Sequence, residues 1–175
     1  MKQEKFLITT KMEKEDYRKF LYTATFCRNK LVVPMIVALC LVGALFVNFS
    51  SGRVSTIGFI LTFIIMLVFA IGACCFRIEQ RNKQRVKTDN TGIFGAESIL
   101  HFYEEHLEME TPELHSHAEL RYDQFYGVME SKDYFIFYIT MNQASLVRKK
   151  DVKDDMVMEF RIFLQDVFGG KYRKL

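Results

Sequence analysis

Two stretches of the chain show no alternation between apolar and polar positions. Residues 31–49 (LVVPMIVALCLVGALFVNF) hold no ionisable side chain, and neither do residues 57–76 (IGFILTFIIMLVFAIGACCF). As helices rising about 1.5 Å per residue, each reaches roughly 30 Å, the thickness of a bilayer core. A helix in a soluble core is rarely apolar on every face, and here two occur in succession. The residues between them, 50–56 (SSGRVST), are polar, few and include Gly52. That length predicts an antiparallel return, so residues 31–76 read as a transmembrane helical hairpin. Pro34 falls in the first turn of its helix, where its missing N–H is harmless.

The rest of the chain is periodic. Residues 5–9 (KFLIT) are short and β-prone, and Thr10-Lys11-Met12-Glu13 fits a capping box. The helix that follows aligns Tyr17, Phe20, Leu21, Ala24 and Cys27 on one apolar stripe. That stripe suits either the membrane interface or the cytosolic domain; the domain is favoured, because the preceding strand needs a sheet to join. Residues 1–30 are thus a cytosolic strand and amphipathic helix. Residues 77–91 read as a basic juxtamembrane linker, with residues 88–95 (TDNTGIFG) leading into a folded domain over 92–175.

In that domain, strand candidates come at close spacing: 99–104, 107–111, 113–121, 124–130, 134–140 and 144–149. Residues 113–121 (ELHSHAELR) alternate strictly, as a half-buried strand does. From Asp154, an N-cap, the period becomes helical through Met156, Phe160, Phe163, Leu164 and Val167, and Gly169-Gly170 ends the run. The expected fold is α+β: the membrane hairpin plus a small antiparallel β-barrel or sheet closed by a C-terminal helix.

Charge adds direction. Residues 1–91 carry fourteen Lys and Arg against six Asp and Glu; residues 92–175 carry ten against fifteen. The cations flank the apolar runs, with Arg18, Lys19, Arg28 and Lys30 before the first and Arg77, Arg81, Lys83, Arg85 and Lys87 after the second. The connecting loop has only Arg53. This bias predicts that both termini are cytosolic. A cleaved signal peptide is not expected, since the first span is too long and begins thirty residues in. The mildly acidic domain is poorly suited to a phosphate backbone, so no nucleic acid is expected. Cys27, Cys40, Cys74 and Cys75 lack zinc-ligand spacing and read as packing residues of a chain in a reducing cytosol.

Candidate chemistry is sparse. Glu113, His115, His117 and Glu119 share one strand face, and His115 and His117 are the metal candidates, with His101 or His106 available to complete a site. A solvated strand face shows the same pattern. Arg77, Arg81, Lys83, Arg85 and Lys87, and separately Arg148, Lys149 and Lys150, are candidates for lipid headgroups; the plainer reading is a topology signal and a solvated turn. Lys171, Arg173 and Lys174 complement the C-terminus of the last helix. Ala70, Gly72, Ala73 and Cys74 form a small-residue patch suited to close helix approach. No phosphate-binding loop, dinucleotide fingerprint or hydrolase motif is present.

The run HFYEEHLEMET, AELRYDQFYGVMESKDYFIFYITMNQASLVRKKDV and FRIFLQDVFG, with TKMEKEDY near the start and the two spans, resembles the YcxB-like C-terminal domain family of bacterial membrane proteins. Val147-Arg148-Lys149 stands where that family commonly has Ile-Pro-Lys. The resemblance implies a pleckstrin-homology-like barrel tethered beneath the bacterial cytoplasmic membrane. The expectation is a non-enzymatic protein, without cofactor, whose cytosolic domain is a binding module for a protein partner or the anionic membrane surface. A small membrane-resident immunity or envelope-stress protein is the alternative, and a metal-dependent enzyme ranks third.

Overall fold

A computed structural model describes residues 4–28, 30–50, 55–90, 92–141 and 143–175. The chain divides into two units, Glu15–Thr88 and a discontinuous one made of Met1–Lys14 with Asp89–Leu175.

The first unit is helical: α1 (Lys14–Phe26), α2 (Val32–Ser50) and α3 (Thr56–Lys87). α2 and α3 run antiparallel, since Asn48 meets Thr62 while Gly43, a turn earlier, meets Met66. Buried Cys40 and Ala44 lie on the same face as Gly43. Small side chains at that seam let the backbones approach closely. The seam is not the predicted patch: Gly72 and Ala73 face outward. Near the return, Asn48 Nδ2 donates to Ala44 O (2.9 Å) and to Thr62 Oγ1 (3.4 Å). Both helices are long and apolar enough to cross a membrane, and almost none of their apolar length is buried. Most of the expected outer loop, residues 51–54 with Gly52 and Arg53, lies outside the described residues.

α3 does not stop where its apolar stretch does. Residues 77–87, expected as a linker, are a helical continuation, because they contain no Gly or Pro and are rich in Glu, Gln, Arg and Lys. The helix closes at Thr88, whose N–H and hydroxyl both donate to Gln84 O.

The second unit is α+β. Its first sheet has the order β1-β2-β3-β4, from β1 (Phe6–Lys11), β2 (Glu97–Phe102), β3 (His106–Thr111) and β4 (Ser116–Arg121). Every pairing is antiparallel, and β1 lies against β2 over six residues, Phe6 opposite Phe102 and Lys11 opposite Glu97. The amino-terminal strand therefore joins the sheet formed by residues beyond the hairpin. The capping box at Thr10 does not form: Thr10 is still in β1, paired with Ser98.

The second sheet has the order β7-β6-β5-β8, from β5 (Gly127–Glu130), β6 (Tyr134–Tyr138), β7 (Ala144–Arg148) and β8 (Tyr172–Lys174). β8 runs parallel to β5 and was not expected. Between β7 and β8 lies α4 (Val157–Phe168), whose capping residue is Met156 rather than Asp154. Gly169, with φ of 49°, ends it. Phe160 sits against Phe6, Phe102 and Phe135, with ring centroids 4.9–5.2 Å apart in edge-to-face arrangement. Leu164 and Phe168 extend the same buried face of α4.

The two sheets do not close into a barrel among the described residues. Where β1 comes beside β7, a side chain replaces the ladder: the Arg148 N–H donates to Thr10 Oγ1 (3.3 Å). A 3-10 turn at Tyr122–Gln124 separates β4 from β5.

Candidate functional site

Helical geometry sorts the charges of α3 beyond Phe76. Ile78 is buried, while Arg77, Arg81, Lys83, Arg85 and Lys87 are all exposed. At 100° per residue, these five cations with Gln80 and Gln84 spread over about 200° of the helix, leaving the remaining sector to Ile78, Asn82, Val86 and Glu79. The one acid of the stretch, Glu79, is turned away from that arc. Its Oε1 accepts from Arg18 Nε (2.7 Å) and Tyr22 OH (2.9 Å), both on α1. Those bonds hold the Glu79 carboxyl below its ordinary range. α1 beyond Lys14 falls within the helical unit, and of its apolar stripe Leu21 is buried and Cys27 exposed.

The second cationic cluster does not survive folding as a surface patch. The side chain of Arg148 is only 6% exposed. Asp151 takes it through two bonds, from Nε (2.6 Å) and Nη2 (2.8 Å), and Glu13 Oε1 accepts from Nη1 (3.1 Å). Thr10 Oγ1 closes the network by donating to Asp151 Oδ2 (2.6 Å). Arg148 therefore ties the amino-terminal segment to the end of β7. Lys149 turns inward, its Nζ 2.6 Å from Glu130 Oε1. Of the three expected headgroup ligands only Lys150 is exposed, because the chain leaves β7 in a 3-10 turn, Lys149–Asp151, that folds its neighbours back.

Glu130, at the end of β5, is the most buried charge among the described residues, 1% exposed. Arg161 of α4 donates to both its oxygens (2.8–3.1 Å), Lys149 to one, and the Tyr172 hydroxyl to the other. Burial alone would raise its pKa. The hydrogen bonds from Arg161, Lys149 and Tyr172 outweigh that and hold it down to about 2. Burial, then the bond to Glu130, pushes the Tyr172 phenol up. Sequence reading missed this centre; its only signal was a lone acid in the apolar run GVME. Lys171, read as a helix complement, donates instead to Asp123 O (2.9 Å) and Phe125 O (3.0 Å).

The histidines are also redistributed. Pro112 opens a 3-10 turn, Pro112–Leu114, and His115 takes φ of 47°, so the strand starts only at Ser116. Glu113 and His115 therefore leave the face that alternation assigned them. His117 keeps its place and lies 3.3 Å from Glu110. The metal-capable grouping found among the described residues is His106, Glu108 and Glu119. It contains neither His115 nor His117.

The soft aromatic pattern running from the end of β2 to the middle of α4 has a counterpart. Residues 102–164 match the family model described as YcxB-like protein. This bears out the resemblance over a little over a third of the chain. The YcxB-like segment covers β3 to β7 and includes Glu130, Arg148, Lys149 and Arg161. It leaves out β1, both apolar helices and β8. No curated protein and no solved structure matches the chain.

Proposed function

We propose that this is a two-pass protein of the bacterial cytoplasmic membrane, with both termini cytosolic. Its α+β unit is a non-enzymatic, pleckstrin-homology-like binding module that works at the anionic inner surface. The observation that carries the reading is the exposed cationic arc on α3, continuous in one helix with an apolar stretch long enough to span. Each Lys or Arg close to an anionic leaflet contributes about 1 kcal/mol, so Arg77, Arg81 and Lys83, nearest the apolar stretch, contribute most, and Arg85 and Lys87, up to about 15 Å further along the helix, less.

The pairing of β1 with β2 supports the topology independently. β1 precedes the two apolar helices and β2 follows them. If those helices cross lipid, this pairing requires both ends of the hairpin on one side. The cation bias then favours the cytosol. Two sheets packed with one C-terminal helix support the pleckstrin-homology-like reading.

The test uses the whole chain in detergent micelles, with native mass spectrometry counting retained lipids. Wild type should keep phosphatidylglycerol in preference to phosphatidylcholine, and the variant with Arg77, Arg81, Lys83, Arg85 and Lys87 all changed to Gln should lose that preference. Equal retention by the two proteins would refute the electrostatic role. A fluorescent-protein fusion after Leu175 should glow in cells, and an alkaline phosphatase fusion there should stay inactive.

A further inference from the structure

The outer face of the first sheet carries a constellation that the membrane reading does not use. Leu107 points into the core, so its neighbours His106 and Glu108 project from the opposite face of β3. Glu119 of β4 is the direct cross-strand partner of Glu108. His106 Nε2 lies 3.2 Å from Glu108 Oε1 and 3.5 Å from Glu119 Oε1. One donor atom from each of the three residues falls within 4.8 Å of the others.

Two features suit this group to an ion. The first is geometric. Zinc bound through imidazole nitrogen and carboxylate oxygen has bonds of about 2.0–2.2 Å, so neighbouring ligands of a tetrahedral site stand roughly 3.3–3.5 Å apart. The His106–Glu108 contact is a hydrogen bond in this structure, and both separations also fall close to that edge length, so an ion could replace the proton between them without moving the ligands far. The second is preorganisation. The imidazole of His106 is buried and stacks on the Tyr103 ring, with centroids 4.6 Å apart and planes 14° from parallel. That turn is clamped in its own right: the Tyr103 N–H donates to His106 O (3.0 Å), and buried Tyr122 donates its hydroxyl to Tyr103 O (2.7 Å). The ring therefore presents Nε2 to the two carboxylates from a fixed position.

We propose that His106, Glu108 and Glu119 form a three-ligand site for a divalent transition metal ion, best suited to zinc. Glu119 is about half exposed, so the fourth coordination position opens to solvent. An ion bound there bridges β3 to β4 next to the tight turn that starts β3. The proposal is independent of the membrane reading, since none of its residues belongs to the helical unit.

The test uses the full chain in detergent, without an affinity tag, stripped by chelator and titrated with zinc against a chromogenic competitor. One equivalent should bind. Glu119→Gln, a change at an exposed carboxylate that should leave the fold intact, should weaken binding at least by the roughly 10–100-fold that loss of an outer-shell partner costs. His106→Gln should do the same. His117→Ala, which removes the neighbouring His117–Glu110 pair, should leave affinity within about twofold. Cobalt in place of zinc should give the visible bands of a four-coordinate nitrogen and oxygen site without a thiolate charge-transfer band. Absence of saturable binding, binding unchanged in Glu119→Gln, a thiolate band, or equal loss in His117→Ala would each overturn the assignment.

Discussion

Burial gives the two ionic centres of the α+β unit opposite consequences from those of surface charge. An unfolded glutamate takes up its proton near pH 4.3, whereas folded Glu130 keeps its charge down to about 2. Acidification through that window protonates the unfolded chain first. The stability Glu130 contributes is therefore complete above about pH 4.3 and disappears as pH falls toward 2. Glu130→Gln should lower the urea midpoint of the unit at pH 6, and the gap from wild type should narrow markedly by pH 3. A gap of the same size at both pH values would contradict the argument. Arg148 calls for a different experiment. Its removal takes two charge-assisted donors from part-buried Asp151 and one from Glu13, and Arg148→Ala should cost about 1.5–3 kcal/mol, against less than about 0.5 kcal/mol for exposed Lys150→Ala. The contrast between adjacent residues, read by chemical denaturation, is the decisive quantity.

Among the elements, β8 depends on a single glycine. A Cβ on Gly127 would sit 2.8 Å from the backbone oxygen of Lys171. Gly127→Ala must push β8 off β5 and loosen Tyr172 from Glu130, at a cost of about 1–3 kcal/mol; hydrogen exchange should rise in residues 172–174 before anywhere else in the unit. Gly43→Ala also places its Cβ close to a neighbour, but there it meets the flexible tip of Met66 and should be tolerated. Most elements were legible in the sequence because periodicity reports burial directly. The core face of α4 and the alternation of β4 follow from it, whereas the apolar helices show as runs without a period and the remaining strands of β2 to β7 as short β-branched and aromatic runs between turns. Failures came where a distant partner outweighed local preference. Thr10 and Glu13 suit a helix cap, yet Ser98, Arg148 and Asp151 recruit them from across the fold. β8 is too short to show a period. His115 left its expected face because Pro112 forces a turn that alternation does not register. Arg148 and Lys149 resemble a surface patch in the sequence, since nothing local reveals that Asp151, Glu13 and Glu130 will enclose them.

At the scale of the whole molecule, the folded unit is assembled from both ends of the chain. Phe6, Ile8 and Thr10 are buried, and Phe6 packs against Phe160. Deleting residues 1–11 should therefore unfold the unit although every residue from 89 onward remains. Limited proteolysis in detergent should degrade the truncated chain from its C-terminus, while the full chain resists under the same conditions.

That arrangement also bears on how the protein is made. β1 leaves the ribosome first and must wait for roughly 85 further residues before its partner β2 exists. Closing so long a loop in solution is slow and entropically costly. If the two apolar helices cross lipid as proposed, their insertion draws the ends of the intervening segment to one face of the bilayer and shortens the search. On that proposed topology biogenesis acquires an order, in which the membrane is entered before the α+β unit can lock. A nascent chain denied its membrane would keep an unmated strand exposed to quality control.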